Sequence, residues 1–243
     1  MRNKIISSIF LIVFLILIVL SLTACWDTGK LIEETIVVDL KFADRVAVTA
    51  TIYKGDISIS GENQTPLLIS NFSYNLTQWT PKVTYTVDDG GEGHLKIVQK
   101  ENTKGLFNPL VNDWLLLFNE AVPIKLDIMM GSGQNQLDLS SINLINLKIV
   151  IGNGDTTIDL TGDYQENVDI YLVGGIGHTV INLPKEVGVR LMIQGGLNRI
   201  RCDGFNQIGN FYYNSVFNFF ERKIFINLIS GLGIIDINLL SPE

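Results

Sequence analysis

The chain has 243 residues, 47% of them hydrophobic and 18% charged, with a formal net charge of −7. An acidic surface excludes nucleic acid as a partner and offers no polybasic patch to a membrane. The abundance of Ile, Leu, Val, Asn and Gly, with only 6 Pro, favours strands and tight turns over helices.

In chain order, the first predicted element is a secretory signal. Arg2 and Lys4 precede eighteen uncharged residues, Ile5 to Leu22, followed by Thr23, Ala24 and Cys25. A basic head, an apolar run and small residues make an export signal, although a run of this length also suits a membrane-spanning helix. Leu22-Thr23-Ala24-Cys25 resembles the bacterial lipobox. That resemblance implies acylation of the Cys25 thiol and cleavage between Ala24 and Cys25, so residues 1–24 are the signal peptide. The expected partner is then membrane lipid, held through acylated Cys25 on the extracytoplasmic face of the bacterial cell membrane. Two or more acyl chains anchor a protein stably where one does not.

Cleavage leaves 219 residues in which 16 basic side chains face 25 acidic ones, a net charge near −9. With Cys25 acylated, Cys202 has no partner for an intrachain disulfide, and packing alone must hold the fold. The length suits one large all-β domain or two small ones.

Residues 25–120 form an N-terminal β subregion. The segment around Gly55 (ATIYKGDISISG) has the form of a degenerate repeat unit. Lys82–Val87 and His94–Val98 alternate in polarity across Asp-Asp-Gly-Gly-Glu-Gly, a hairpin signal. Residues 106–120 are hydrophobic without clear alternation, which predicts a connection that buries Trp114.

Residues 121–243 carry repeats. Units begin at Leu126, Leu147, Val168 and Val189, each 21 residues after the last, and a fifth begins at Ile224 after 35. Each unit reads as a strand with alternating apolar residues, a glycine turn and a second strand. The glycine eighth in each unit recurs as Gly133, Gly154, Gly175, Gly196 and Gly231. Such turns demand positive φ or close backbone approach, where a Cβ costs roughly 1–2 kcal/mol. Units this short cannot bury a face alone and must stack. The predicted fold is all-β, a parallel β-solenoid of about 21-residue coils; stacked antiparallel β-hairpins are the alternative. Cys202 aligns with Leu139, Leu160, Ile181 and Ile237 and reads as a core residue. The aromatics Phe205, Phe211, Tyr212, Tyr213, Phe217, Phe219 and Phe220, before the fifth unit, read as a cap on the stack or as a partner-binding surface.

The run from Trp114 through Asn119 and Pro123 into the glycine unit, then LKIVIGNGDTTIDL and GGIGHTVINLPKEVGVRLMIQGG, resembles the toast-rack domain and the related C-terminal domain of LiaF-like, cell-wall-active antibiotic response proteins. The resemblance spans about residues 40–240. It implies a β-helical domain without known catalysis and, for some members, modulation of envelope-stress signalling through membrane partners such as a sensor kinase. Those members carry several transmembrane helices where this chain has one lipoprotein signal.

No catalytic residue, cofactor site or metal site is predicted. His94 and His178 lack Cys or His neighbours at zinc spacing, no nucleophile elbow accompanies them, and the glycine turns lack a phosphate-loop ending. Asp127, Asp138, Asp159 and Asp169 suggest a carboxylate row of the kind polysaccharide-cutting solenoids use, but they alternate with core residues and read more simply as solvated. The expectation is a non-enzymatic, lipid-anchored interaction domain of the cell envelope, in stress sensing or maintenance. A surface adhesin or wall-binding module is the alternative, and a polysaccharide-active enzyme a third reading.

Overall fold

The computed structural model describes residues 29–100 and 110–241; Ala24, Cys25 and the expected signal segment, residues 1–24, lie outside the described residues. Nineteen strands follow one another: β1 (Ile32–Val38), β2 (Arg45–Lys54), β3 (Asp56–Glu62), β4 (Leu68–Tyr74), β5 (Lys82–Val87), β6 (Glu92–Val98), β7 (Asn112–Asn119), β8 (Ile124–Ser132), β9 (Asn135–Asp138), β10 (Leu144–Asn153), β11 (Thr156–Asp159), β12 (Val168–Val173), β13 (Ile176–Pro184), β14 (Gly188–Gln194), β15 (Leu197–Arg201), β16 (Phe205–Ile208), β17 (Phe211–Asn214), β18 (Lys223–Ile229) and β19 (Leu232–Leu240).

Each repeat contributes one strand to each of two ladders. The first ladder runs β5-β6-β2-β8-β10-β12-β18-β14-β17-β16, and the second β1-β4-β7-β3-β9-β11-β13-β19-β15. Equivalent strands of successive coils pair in parallel, which establishes the solenoid over stacked hairpins. Antiparallel pairs are confined to the two ends, at β5, β1, β4, β16 and β17. Ten strands at about 4.8 Å spacing make the first ladder roughly 43 Å long.

The core lies between the ladders. Alternation turns every second side chain inward, and parallel register lines these up across coils. Leu126, Leu147, Ile170, Ile226 and Leu191 form one such buried column. Full burial of each stabilises by roughly 2–3 kcal/mol. At the N-terminal end Trp114 meets Phe72 edge to face at 5.2 Å and donates its Nε1–H to Asn112 Oδ1 at 3.1 Å.

Four features depart from the sequence reading. First, the period is not uniform. Leu126 pairs with Leu147 at 21 residues, but Ile149 pairs with Leu172 and Ile158 with Ile181, both at 23. The connection before β12 takes up the excess and buries Tyr164, whose hydroxyl donates to the Leu139 carbonyl at 3.1 Å. An even slip leaves every side chain on its original face, so alternation cannot reveal it.

Second, the repeat glycines fall into two columns. Gly133 and Gly154 stack with Gly55, Gly177 and Gly233; Gly175 and Gly231 stack with Gly131 and Gly152, and Gly196 lies against Ser230 and Gly231. At Gly154 φ is +127°, and a Cβ would lie 1.9 Å from the Gly133 carbonyl oxygen. Close approach of successive backbones thus demands glycine there.

Third, stacking order differs from chain order. The coil at 224–240 sits between those at 168–184 and 188–201. Its inward residues Ile224, Ile226 and Leu228 are buried, so it suits the interior of the stack. The coil at 188–201 carries Gln194, Arg199 and Arg201, and polar strands suit an end. Cys202 follows this end strand and is only partly buried, because no further coil covers it. Its column is that of Ile237 and Ile181, hence of Leu137 and Ile158 rather than Leu139 and Leu160.

Fourth, the stretch before Ala121 is not a plain connection. It forms β7, which pairs parallel with β3 and antiparallel with β4. The segment around Gly55 is a coil of the stack, with β2 and β3 in register on β8 and β9. β5 and β6 form the expected hairpin.

Candidate interaction surface

Outward-facing side chains also run in rows, since the same register that builds the core aligns them. The four aspartates do not share a row. Asp138 and Asp159 are register partners on the second ladder, continuing into Asn182 and Asn238. Asp127 and Asp169 lie on the first ladder in different rows, and Asp127 accepts an ion pair from Lys148 at 2.8 Å. Asp138 and Asp159 each hold the hydroxyl and backbone N–H two residues on, Ser140 and Thr161. These carboxylates terminate strands and do not converge on a substrate.

Both histidines face carboxylates. His178 Nε2 lies 2.8 Å from Asp236 Oδ2, and Arg201 grips both oxygens of Asp236. Three different coils meet in that cluster. Partial burial raises the Asp236 carboxyl, but the hydrogen bonds from His178 and Arg201 outweigh it and hold the group below the usual carboxylate range. His94 Nε2 lies 3.1 Å from Asp88 Oδ2, and the ligand-capable atoms of Asp88, Glu92 and His94 all fall within 4.8 Å. Alternation puts Glu92 and His94 on one face, a grouping the metal-spacing argument overlooked. Asp88 is already engaged by His94 and by the Glu92 and Gly90 N–H groups, which keep its carboxyl low. Glu92 is held low mainly by the Lys125 ammonium at 2.7 Å. A cation at the trio would share Glu92 with that lysine.

Among the described residues each imidazole is hydrogen-bonded to a carboxylate, and no Ser, Thr or Cys side chain is hydrogen-bonded to either. Burial, and then Asp203, push the Cys202 thiol up, the wrong direction for a reactive thiolate.

The aromatic insertion does two things. β17 lies antiparallel along β14, covering the edge of the first ladder, and Asn214 ties it down through the Val189 N–H and the Val187 carbonyl. On the outer face Phe211, Tyr213, Phe217 and Phe225 follow one another with centroid separations of 6.2, 4.8 and 6.4 Å. The Arg190 guanidinium sits over both Phe211 and Phe225, at 5.0 and 4.6 Å. Beside this cluster a cleft of about 650 Å³ opens between Tyr164, Pro184, Val187, Phe220 and Arg222. Arg222 braces it, donating to the Tyr164 carbonyl at 2.8 Å and pairing with Asp163. At the glycine corner, register aligns the exposed Ile176, Leu232 and Leu197. Aromatic and apolar rows on a rigid body are the material of protein or polymer recognition.

Comparison with known proteins agrees with this architecture. The family model described as the N-terminal domain of toast_rack, DUF2154, matches residues 27–182. The chain belongs to the toast-rack family. This toast-rack chain is also similar to the crystal structure of a "putative cell adhesion protein" from Clostridium sporogenes, at 30% identity and a TM-score of 0.82, over 87% of this chain and 100% of that one. A "putative adhesin" from Bacteroides fragilis is similar at 12% identity and a TM-score of 0.35, over 86% and 97% of the two chains. No curated protein matches the toast-rack chain.

Proposed function

We propose that this toast-rack protein is a non-enzymatic adhesion module of the bacterial cell surface, anchored by lipid at Cys25. The observation that carries the proposal is its similarity, over 87% of this chain and 30% identical, to the Clostridium sporogenes protein described as a "putative cell adhesion protein". Two features support it. Leu22-Thr23-Ala24-Cys25 has the form of a lipid-attachment site, and the described fold presents aligned outward rows without a converged set of catalytic groups. Labelling of expressing cells with a palmitate analogue tests the anchor: label is expected on the chain and absent from Cys25→Ala. Attachment of those cells to wall glycans and host matrix proteins, with and without the gene, tests adhesion; equal attachment to every surface would overturn it. Crosslinking in intact cells separates this reading from stress sensing, which demands a membrane sensor kinase among the products.

A further inference from the structure

β14 lies between β18 and β17 near the end of the first ladder. Alternation buries Val189 and Leu191 and turns Arg190 and Met192 outward. Register then sets Phe225 of β18 and Tyr213 of β17 level with Arg190, and Asn227 and Phe211 level with Met192. One strand farther, Tyr171 is level with Asn227 and 40% exposed. At ladder spacing Tyr171 lies about 12 Å from Arg190, so these side chains share one contiguous outer face.

Arg190 has no anionic partner there. Arg201 and Arg222 each hold a carboxylate. The Arg190 guanidinium instead rests over the Phe211 and Phe225 rings, and among the described residues it meets no hydrogen-bond acceptor. The acid in its own row, Asp169, lies beyond Phe225 and makes no ion pair. Stacking on rings orders a guanidinium without using its N–H donors. A planar fork held in this way is matched by a carboxylate, which accepts two parallel hydrogen bonds from it. The single fork suits an isolated charge. A polyanion would bring repeated charges to a chain with 25 acidic and 18 basic residues.

The groups around the fork define the rest of the ligand. The hydroxyls of Tyr171 and Tyr213 and the side-chain amide of Asn227 make no hydrogen bond among the described residues. Each can donate and accept, which complements the hydroxyls of a sugar ring. A carboxylate on an apolar peptide would satisfy Arg190 but bury these groups unpaired. We propose that this face binds a carboxylate-bearing sugar in an otherwise neutral glycan. The carboxylate sits on the Arg190 fork, and the ring hydroxyls meet Tyr171, Tyr213 and Asn227. This names a ligand class for the adhesion module and rests on that reading.

The test uses the full chain, purified in a polyoxyethylene detergent, on sensor surfaces that carry one glycan each. Sialyllactose supplies a terminal carboxylate and a hyaluronan tetrasaccharide an in-chain one. Lactose and the methyl ester of sialyllactose lack the charge. Binding is expected to one or both acids and to neither neutral glycan; the arm that binds identifies the source of the carboxylate. Arg190→Lys keeps the charge but loses the fork, and should weaken binding about tenfold or more. Asn227→Ala should weaken it about fivefold. Arg45→Gln, on β2 five strands away in the same ladder, should change nothing. Circular dichroism melts verify folding, and the Asn227 variant carries the test if the Arg190 variant unfolds. No binding to either acid, equal binding to lactose or the ester, or unchanged binding by folded Arg190→Lys overturns the proposal. Tighter binding to a glycerol phosphate polymer than to either acid sugar also overturns it. Sugar binding without gene-dependent attachment of cells keeps this site and removes the adhesion reading. Gene-dependent attachment without binding to either acid sugar does the reverse.

Discussion

Asp236 on β19 is gripped on both carboxylate oxygens by Arg201 on β15, a residue 35 positions earlier in the chain and one coil farther out in the stack. His178 on β13 reaches the same carboxylate from the other side. The contact exists because the coil at 224–240 threads between two coils that precede it, and Asp236 joins all three.

Replacing Asp236 by Asn should therefore destabilise at neutral pH, on the order of 1 kcal/mol for a surface cluster of this kind. The carboxyl is held below its ordinary value, so its contribution is present above about pH 4 and disappears as pH falls through the folded-state value. Thermal melts of the wild type and Asp236→Asn should differ at pH 7 and converge at pH values below the ordinary carboxylate range.

Gly154→Ala should cost about 3 kcal/mol or more, because its Cβ would meet the Gly133 carbonyl oxygen at 1.9 Å and its φ is +127°. Gly209→Ala is the control. That glycine also has positive φ, at +61°, but nothing lies within 4 Å of the added carbon, so the cost should stay near 1–2 kcal/mol. Denaturant midpoints measure both. Equal costs would show that conformation alone, and not the approach of stacked backbones, selects these glycines.

Deleting residues 223–243 should abolish cooperative unfolding and not merely lower the melting temperature. In a solenoid stacked in chain order, loss of a terminal coil removes one interface. Here it removes the middle of a sandwich, leaving β12 and β14 without their shared neighbour β18. Circular dichroism melts of the shortened chain provide the check.

Trp114→Ala should cost about 3–5 kcal/mol. Trp114→Phe should keep most of the packing against Phe72 but release the Asn112 Oδ1 acceptor, about 1 kcal/mol for the hydrogen bond. Asn112 also donates to the Lys54 carbonyl, so the phenylalanine variant tests whether the amide alone orders the corner after β2.

The strands, their inward faces and the parallel stack were legible because alternation and recurrent glycines are local properties of the chain. Stacking order was not. Units at 168, 189 and 224 present interchangeable apolar columns, and only polar residues such as Arg199 and Arg201 mark which of them ends the stack. The shift from 21 to 23 residues was hidden by its evenness. β7 escaped notice because Leu115 and Leu117, on its outward side, are as apolar as the buried Trp114 and Leu116. Of the surfaces, the aromatic insertion announced itself by composition. A cleft lined by Lys82, Lys96 and Lys100 did not, since Lys82 and Lys96 become neighbours only through the antiparallel pairing of β5 with β6.

The threaded coil also constrains the order of assembly. A chain emerging residue by residue can stack its coils as far as Pro184, but the segment at 188–201 then has no correct seat. It must wait, with its aromatic arm exposed, until residues 224–240 have been made and taken the place between. A shielding chaperone, or delay of the outermost coil until synthesis is complete, would protect the half-built body from docking its strands in simple chain order.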